Sequence, residues 1–333
     1  MSNPDVDALC IGNAIVDILA HTEDDFLVRE DLIKGSMRLI DEAEAERLSN
    51  TMGPAVEISG GCAGNTSAGV ASLGASAAFI GKVAADPLGR TYRHDITSAG
   101  VGFGTSDLAG GPATARSMIL VTPDGERTMN TFLGACQELT PDDINEDVVS
   151  SAAITYLEGY LWDPPKAKDA FRKAAELAHA AGRRVALTLS DSFCVDRFRD
   201  EFLGLIRDGT VDLLFANEAE IKALYQTADF DTAIQAARAD CTLAAVTMGA
   251  EGSLVVTRSQ THHVPAAPVE RIVDLTGAGD LYASGFLTGL ARGYELADCA
   301  RLGGVCAAEI ISHIGARPEM RLADLAAQSG IAA

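Results

Sequence analysis

Apolar residues recur along the chain in short blocks, and most blocks are followed by stretches of helical period. Ala8 to Val16 (Ala-Leu-Cys-Ile-Gly-Asn-Ala-Ile-Val) is an apolar run of strand length ending at Asp17, as expected of a strand covered on both faces. From residue 151 the rhythm is regular. It predicts strands at Ala153 to Leu157, Val185 to Leu189, Leu213 to Phe215 and Leu243 to Thr247, with helices at Pro165 to Gly182, Arg197 to Gly209 and Asn217 to Tyr225. Strands alternating with helices of this length predict a doubly wound, mostly parallel α/β sheet with helices on both faces. Ligands of such sheets lie at the carboxyl ends of the strands. Asp17, Glu158, Ser190-Asp191, Asn217 and Gly249 all fall just after predicted strands.

Residues 100–135 break the rhythm. Thr114 to Thr122 and Arg127 to Leu133 alternate in polarity around the turn Thr122-Pro123-Asp124-Gly125-Glu126, which predicts a β-hairpin. Asp41 to Met52 is amphipathic, with Asp41 as N-cap. Gly60-Gly61-Cys62-Ala63-Gly64-Asn65 opens a glycine-rich helix at Thr66 to Leu73. Its glycines suit close helix–sheet packing, and Asn65 also suits a ligand hydroxyl. Val269 to Val273 predicts a strand or extended lead-in to a second glycine-rich helix that starts at Gly277.

That second junction, Asp274-Leu275-Thr276-Gly277-Ala278-Gly279-Asp280, carries the strongest chemical signal. Glycines in a first helical turn let backbone N–H groups approach an anion, and the helix dipole adds roughly half a positive charge there. Asp280 is explained by the general preference for acids at helix N-termini. It is equally explained by a ligand bringing both a phosphate and a hydroxyl to be deprotonated, the pairing that phosphoryl transfer requires. The dinucleotide fingerprint is absent, since Gly277-x-Gly279 is followed by Tyr282 where a third glycine belongs, and no P-loop occurs.

The segment Asp274–Asp280 resembles the second signature of the ribokinase-like (PfkB) family of carbohydrate and nucleoside kinases, with Leu275 departing from its usual small or β-branched residue. Gly60-Gly61 through Asn65, Ala77–Val83 and Asp86-Pro87-Leu88-Gly89 resemble the first signature. Gly12-Asn13-Ala14-Ile15-Val16-Asp17 is similar to the opening of adenosine kinases within that family. The likeness runs from Gly12 to Gly315 and implies a single domain over 1–333 with a small β lid from segments of about 17–40 and 100–135; Lys34 to Ile40 would supply a lid strand. It implies that Asp280 is the catalytic base, with Gly277, Ala278 and Gly279 as the anion hole. Asn13, Asp17, Gly60, Gly61 and Asn65 would grip the sugar, Met129, Thr131 and Leu133 would face a nucleoside, and Glu158 and Tyr160 would complete the substrate side. Arg127 would be the lid's phosphate clamp. Asn217, Thr247, Gly249 and Gly252 would hold ATP, Glu220 would order a Mg²⁺ water shell, and the backbone near Asp274 and Thr276 would bind a monovalent cation such as K⁺. In the family a partner subunit can complete the lid, so monomer and homodimer both stay open.

Each of these residues also has a plainer explanation. Asn217 with Glu218 and Glu220 is a good helix cap, Arg127 an exposed turn arginine, Met129 to Leu133 lid packing, Tyr160 a core tyrosine and Lys82 a solvated lysine. Composition narrows the choice. The chain has 333 residues, 47% of them hydrophobic, and a net charge of −21. That charge argues against nucleic acid or an acidic membrane as partner, so a phosphate must be held locally. No apolar run reaches ~18 residues, so no span is expected. The acidic start of the chain is unlike a signal peptide, and 7 cysteines without paired spacing suit reduced thiols in the cytoplasm. The leading reading is an ATP-dependent kinase of a nucleoside, adenosine first, with a sugar kinase for ribose or fructose as the alternative. A catalytically silent binding protein is disfavoured by the intact Asp280 turn.

Overall fold

The computed structural model describes residues 4–331, which form two sheets. In chain order the first elements are β1 (Val6–Ile11), β2 (Ile15–His21), α1 (Asp24–Arg29), β3 (Met37–Leu39), α2 (Glu42–Thr51), β4 (Ala55–Gly60), α3 (Cys62–Ser72), β5 (Ala77–Ile80), α4 (Pro87–Ser98) and β6 (Val101–Phe103). The hairpin β7 (Ala115–Val121) and β8 (Arg127–Phe132) follows, then α5 (Glu146–Ser151), β9 (Ala152–Glu158), α6 (Pro165–Ala180), β10 (Arg184–Thr188), α7 (Ser192–Arg207) and β11 (Leu213–Asn217). The last elements are α8 (Glu218–Leu224), α9 (Phe230–Asp240), β12 (Leu243–Thr247), β13 (Ser253–Thr257), β14 (Thr261–Val264), α10 (Ala278–Ala291), α11 (Leu296–Ile310) and α12 (Leu322–Gln328).

The large sheet has 9 strands in the order β14-β13-β12-β11-β10-β9-β1-β5-β6, parallel from β12 to β6 and antiparallel at β13 and β14. Alternation along β1 shows why it is doubly wound. Ala8 and Cys10 join one apolar core with residues of α3 and α10, while Leu9 and Ile11 join the other with residues of α6, α7, α8 and α9. Both faces are covered, so the strands read as apolar runs.

The small sheet, order β3-β8-β7-β2-β4, is the lid. Its outer face, including Val16, Ile18, Met118 and Leu120, packs with Phe26 and Leu27 of α1 and Ala45 and Leu48 of α2. On its other, inner face, Asp17, Leu19 and Ile119 line a cavity.

Several boundaries differ from the sequence expectation. The run from Ala8 to Val16 is not one strand; it divides at Gly12–Ala14 between the two sheets. A Cβ at Gly12 would lie 2.3 Å from a Glu158 carboxylate oxygen, so the chain turns there on a glycine. Asp17 consequently lies inside β2 rather than after a strand of the large sheet. The lid also takes β4, which was not foreseen because Ala55, Val56 and Glu57 are an exposed sheet edge with no apolar alternation to read. Val101–Phe103, by contrast, pairs with β5 in the large sheet. Helix α3 starts at Cys62, and α7 starts at Ser192, capped by the Asp191 carboxylate accepting from Cys194 N–H at 2.6 Å. Residues 269–273 join no sheet, and Val273 N–H donates to the Ile311 carbonyl at 2.8 Å. Lys82 is not solvated: it is buried and its Nζ donates to Asp143 at 2.5 Å.

Candidate active site

Helix α10 begins on Gly277, whose φ of 79° is open to glycine and strained for other residues. The first intrahelical bond runs from Leu281 N–H to Gly277 O, and Ala278 N–H donates backward to Leu275 O at 3.3 Å. The Gly279 and Asp280 amides are therefore the first-turn donors at the positive end of the helix. A Cβ placed on Gly279 would meet no atom within 4 Å. The space in front of this turn is thus open.

Asp280 is held from α3. Asn65 Nδ2 donates to its Oδ2 at 2.9 Å, and Thr66 Oγ1 donates to its main-chain oxygen at 3.2 Å. Desolvation in the cleft pushes its carboxyl up to about 6, against the opposing pull of Asn65, Cys62 and Arg317. Asp17, across the cleft on the lid, is also raised to about 6 by burial, with Arg317 and Arg127 pulling it down. Gly60 makes room for it, since a Cβ there would lie 2.3 Å from Asp17 Oδ2. Gly61, at φ 81°, brings the backbone so close to Asn13 that a Cβ would lie 2.1 Å from its carbonyl oxygen.

The inner face of the lid is organised in rows. One row across the strands is Ile58, Asp17, Ser117, Thr131 and Leu39, polar at its centre, with the Ser117 and Thr131 hydroxyls sharing a hydrogen bond of 2.8 Å. The next row, Val56, Leu19, Ile119, Met129 and Met37, is wholly apolar. Leu133 follows β8 on the side of the polar row. A cavity of about 230 Å³ lies between this face, Asn65 and the chain at 314–319, lined by Asp17, Leu19, Ile119, Asn65, Arg127, Thr276 and Arg317 among others. A wider depression of about 530 Å³ around Arg90 and His94 of α4 is open surface away from these residues.

Arg127 reaches from the lid to the turn before α10. It ion-pairs with Asp274 at 2.8 Å and donates to Thr276 Oγ1 at 2.6 Å, with side-chain exposures of 11% for Arg127 and 8% for Asp274. Asp274 also accepts from Thr276 N–H, Thr276 Oγ1 and Gly315 N–H, at 3.0, 2.7 and 3.0 Å. On the sheet side, Asn217 and Glu220 form a reciprocal capping box, with bonds of 2.9 Å and 3.0 Å. Glu220 is 5% exposed and raised to about 7 by burial. Gly249 (φ 58°) and Gly252 (φ 93°) shape the β12–β13 turn that follows Thr247, and a Cβ on Gly249 would meet open space.

A family model of pfkB carbohydrate kinases matches residues 33–321. The chain belongs to the pfkB carbohydrate kinase family. It is similar to an adenosine kinase of Sinorhizobium meliloti, 57% identical over 98% of this chain and 100% of that one, with a TM-score of 0.91. A probable sugar kinase of Rhizobium etli is 52% identical over 99% and 100% of the two chains, with a TM-score of 0.92. Among curated relatives, adenosine kinase of Saccharomyces cerevisiae is 27% identical over 92% of this chain and 94% of its own. A fructokinase of Klebsiella pneumoniae is 28% identical over 78% and 85%.

As a pfkB kinase the protein is an ATP-using phosphotransferase with an alcohol group as acceptor. Its cavity gathers Asp17, Asn65, Arg127 and Thr276, with Asp280 joined through Asn65. Of the substrate set only Asp17 and Asn65 line it; Asn13, Gly60, Gly61, Met129, Thr131, Leu133, Glu158 and Tyr160 do not. Glu158 is 1% exposed, and its oxygens accept from Asn13 N–H, Asn13 Nδ2 and Ala63 N–H at 3.3, 2.7 and 2.8 Å. It braces Asn13 against the start of α3, and Asn13 is itself buried. Tyr160 lies outside the cavity lining, its hydroxyl donating to Asp191 at 3.0 Å and its N–H to Ser190 Oγ at 3.0 Å. Sequence reasoning missed Arg317 and Ser59. Neither belongs to a glycine motif or a strand end of the large sheet, and they meet only when the chain after α11 folds back on the lid.

Proposed function

We propose that this kinase phosphorylates the primary hydroxyl of a nucleoside, adenosine first, with ATP as donor. The observation that carries this reading is the two-row lid face. A polar row through Asp17, Ser117 and Thr131 suits ribose hydroxyls, and the adjacent apolar row through Leu19, Ile119 and Met129 suits a flat base. A free sugar has no use for the second row. Glu158, which could otherwise supply a hydrogen bond to a free sugar, has its oxygens occupied by Asn13 and Ala63. The high identity to an adenosine kinase points the same way.

In this mechanism Asp280 takes the proton of the primary hydroxyl as that oxygen bonds to the γ-phosphorus and the bond to ADP breaks. The Gly279 and Asp280 amides face the equatorial oxygens as charge spreads over them. Asn65 holds the base in line. Arg127 turns from Asp274 toward the phosphates and closes the lid behind them. Glu220, a buried carboxylate, would hold through water a Mg²⁺ arriving with ATP, which would neutralise phosphate charge. K⁺ is placed by the same reading near the backbone of Asp274 and Thr276. All 7 cysteines are free and 6 of them are buried, which suits a reducing cytoplasm.

A coupled ATPase assay with adenosine, guanosine, cytidine, ribose and fructose tests the substrate class. A micromolar response to a nucleoside is expected. Turnover of ribose or fructose with silence toward every nucleoside would sink the reading. Glu220→Gln is expected to raise the Mg²⁺ concentration for half-maximal activity. An unchanged Mg²⁺ titration would leave Glu220 as a helix cap alone.

A further inference from the structure

Arg317 is a charged residue of the cavity that no motif singles out. It lies in the chain after α11, and its guanidinium is used on three sides. Nε donates to Ser59 O at 2.9 Å, Nη2 to Ser59 Oγ at 2.8 Å, and Nη1 to Gly64 O at 2.6 Å. Ser59 belongs to lid strand β4, and Gly64 to the opening turn of α3. Ser59 is fixed from its other side by Asp95 of α4, which accepts from its N–H at 2.7 Å and its hydroxyl at 2.5 Å. The residue after Gly64 is Asn65, the donor to Asp280. The residue before Arg317 is Ala316, the first atom a Cβ on Gly277 would meet, at 3.0 Å. One side chain therefore ties the lid edge to the helix that aims the base, from a loop resting on the anion-hole turn.

Charge gives this position a second consequence. Asp17 and Arg317 line the same cavity, and Asp280 faces both. Two carboxylates in one small cleft disfavour each other's ionisation. Arg127, the other nearby cation, is engaged by Asp274 at 2.8 Å. Arg317 is the cation anchored in place.

We propose that Arg317 is a positioning residue for the phosphoryl transfer: its guanidinium pins β4 to the turn that carries Asn65 and balances the charges of Asp17 and Asp280. The inference rests on the reading of Asp280 as the base. The groups that set that charge come from several elements. Asp280 meets Asn65 and Cys62 of α3 and Arg317. It bears on Asp17 of β2, Glu158 of β9 and Glu220 of α8, while Arg317 also faces Tyr92 and Asp95 of α4. Arg317 lowers both Asp17 and Asp280, so its removal pushes both carboxyls further up.

The test is the pH profile of nucleoside phosphorylation by the full chain, with thermal melts alongside. Arg317→Met is expected to move the acid limb of kcat/KM to higher pH by about one unit, so that the loss at pH ~6 exceeds the loss at pH ~8.5 by up to about tenfold. Arg317→Lys keeps the charge but not the fork. It is expected to keep the limb near its original place while KM for the nucleoside rises. If Arg317→Met melts below assay temperature, Arg317→Gln, which keeps donors without charge, reads the same limb. Loss by one constant factor at every pH, or no loss, overturns the proposal. Asp280→Asn separates the two ideas: normal turnover there overturns the base reading, whereas an inert Asp280→Asn with an unmoved limb in Arg317→Met and Arg317→Gln overturns only the role of Arg317.

Discussion

Asp280→Asn is expected to lower kcat by at least ~10²-fold, the scale of a positioned general base. The amide is nearly isosteric with the carboxylate, so the bond from Asn65 can be kept by one rotamer and ATP binding should persist. As the base, Asp280 would work only when ionised. Because its carboxyl is pushed up to about 6 by desolvation, wild-type kcat/KM should fall as pH falls through that value. The same shift has a cost in stability. Between the ordinary value of 3.8 and about 6, the folded chain holds a proton that the unfolded chain has released. Stability from this group therefore declines as pH rises across that window. Asp280→Asn should then melt no lower than wild type at pH ~7.5, while turning over far more slowly. Near-normal kcat in a steady-state assay would reduce Asp280 to a helix-end residue.

The parts of the molecule legible in its sequence are those with local causes. The alternation of apolar runs and helical periods from residue 151 places β9 to β12 and helices α6, α7 and α8 within about five residues, because each is buried by its own periodicity; α9 (Phe230–Asp240) was not placed. The hairpin of β7 and β8 is equally local, announced by Thr122-Pro123-Asp124-Gly125-Glu126. The break at Gly12–Ala14 was hidden because both halves of the run are apolar; only the distant Glu158 side chain shows why Gly12 must be the turning point. Strand β4 was hidden because it is a lid edge whose outer residues face solvent. At the site, glycine patterns marked the anion-hole turn and Gly60-Gly61. They could not show that Glu158 spends its oxygens on Asn13 and Ala63, that Arg127 rests on Asp274, or that Arg317 arrives from the far end of the chain. Those are contacts across 95 to 258 residues of sequence, and no local pattern encodes them.

Gly279→Ala separates packing from function at the anion hole. Glycine inside a helix is unfavourable by about 1 kcal/mol relative to alanine, so its presence in the first turn of α10 asks for a reason. Packing does not supply one, since a Cβ at Gly279 would meet nothing within 4 Å. The adjacent glycine is the opposite case. Gly277 has a φ of 79°, and a Cβ there would lie 3.0 Å from Ala316, so Gly277→Ala is expected to lower the melting temperature. If the open space at Gly279 is where the transferred phosphoryl sits, a methyl group there leaves the fold intact and holds the phosphorus out of line. Displacement of that order costs about 10²-fold. Gly279→Ala should therefore melt at or slightly above the wild-type temperature and lose about 10²-fold in kcat/KM for ATP. Paired melts and steady-state kinetics of the two variants provide the check. A Gly279→Ala enzyme with unaltered kcat/KM would mean that the phosphoryl group is held elsewhere and that this glycine has no part in the reaction.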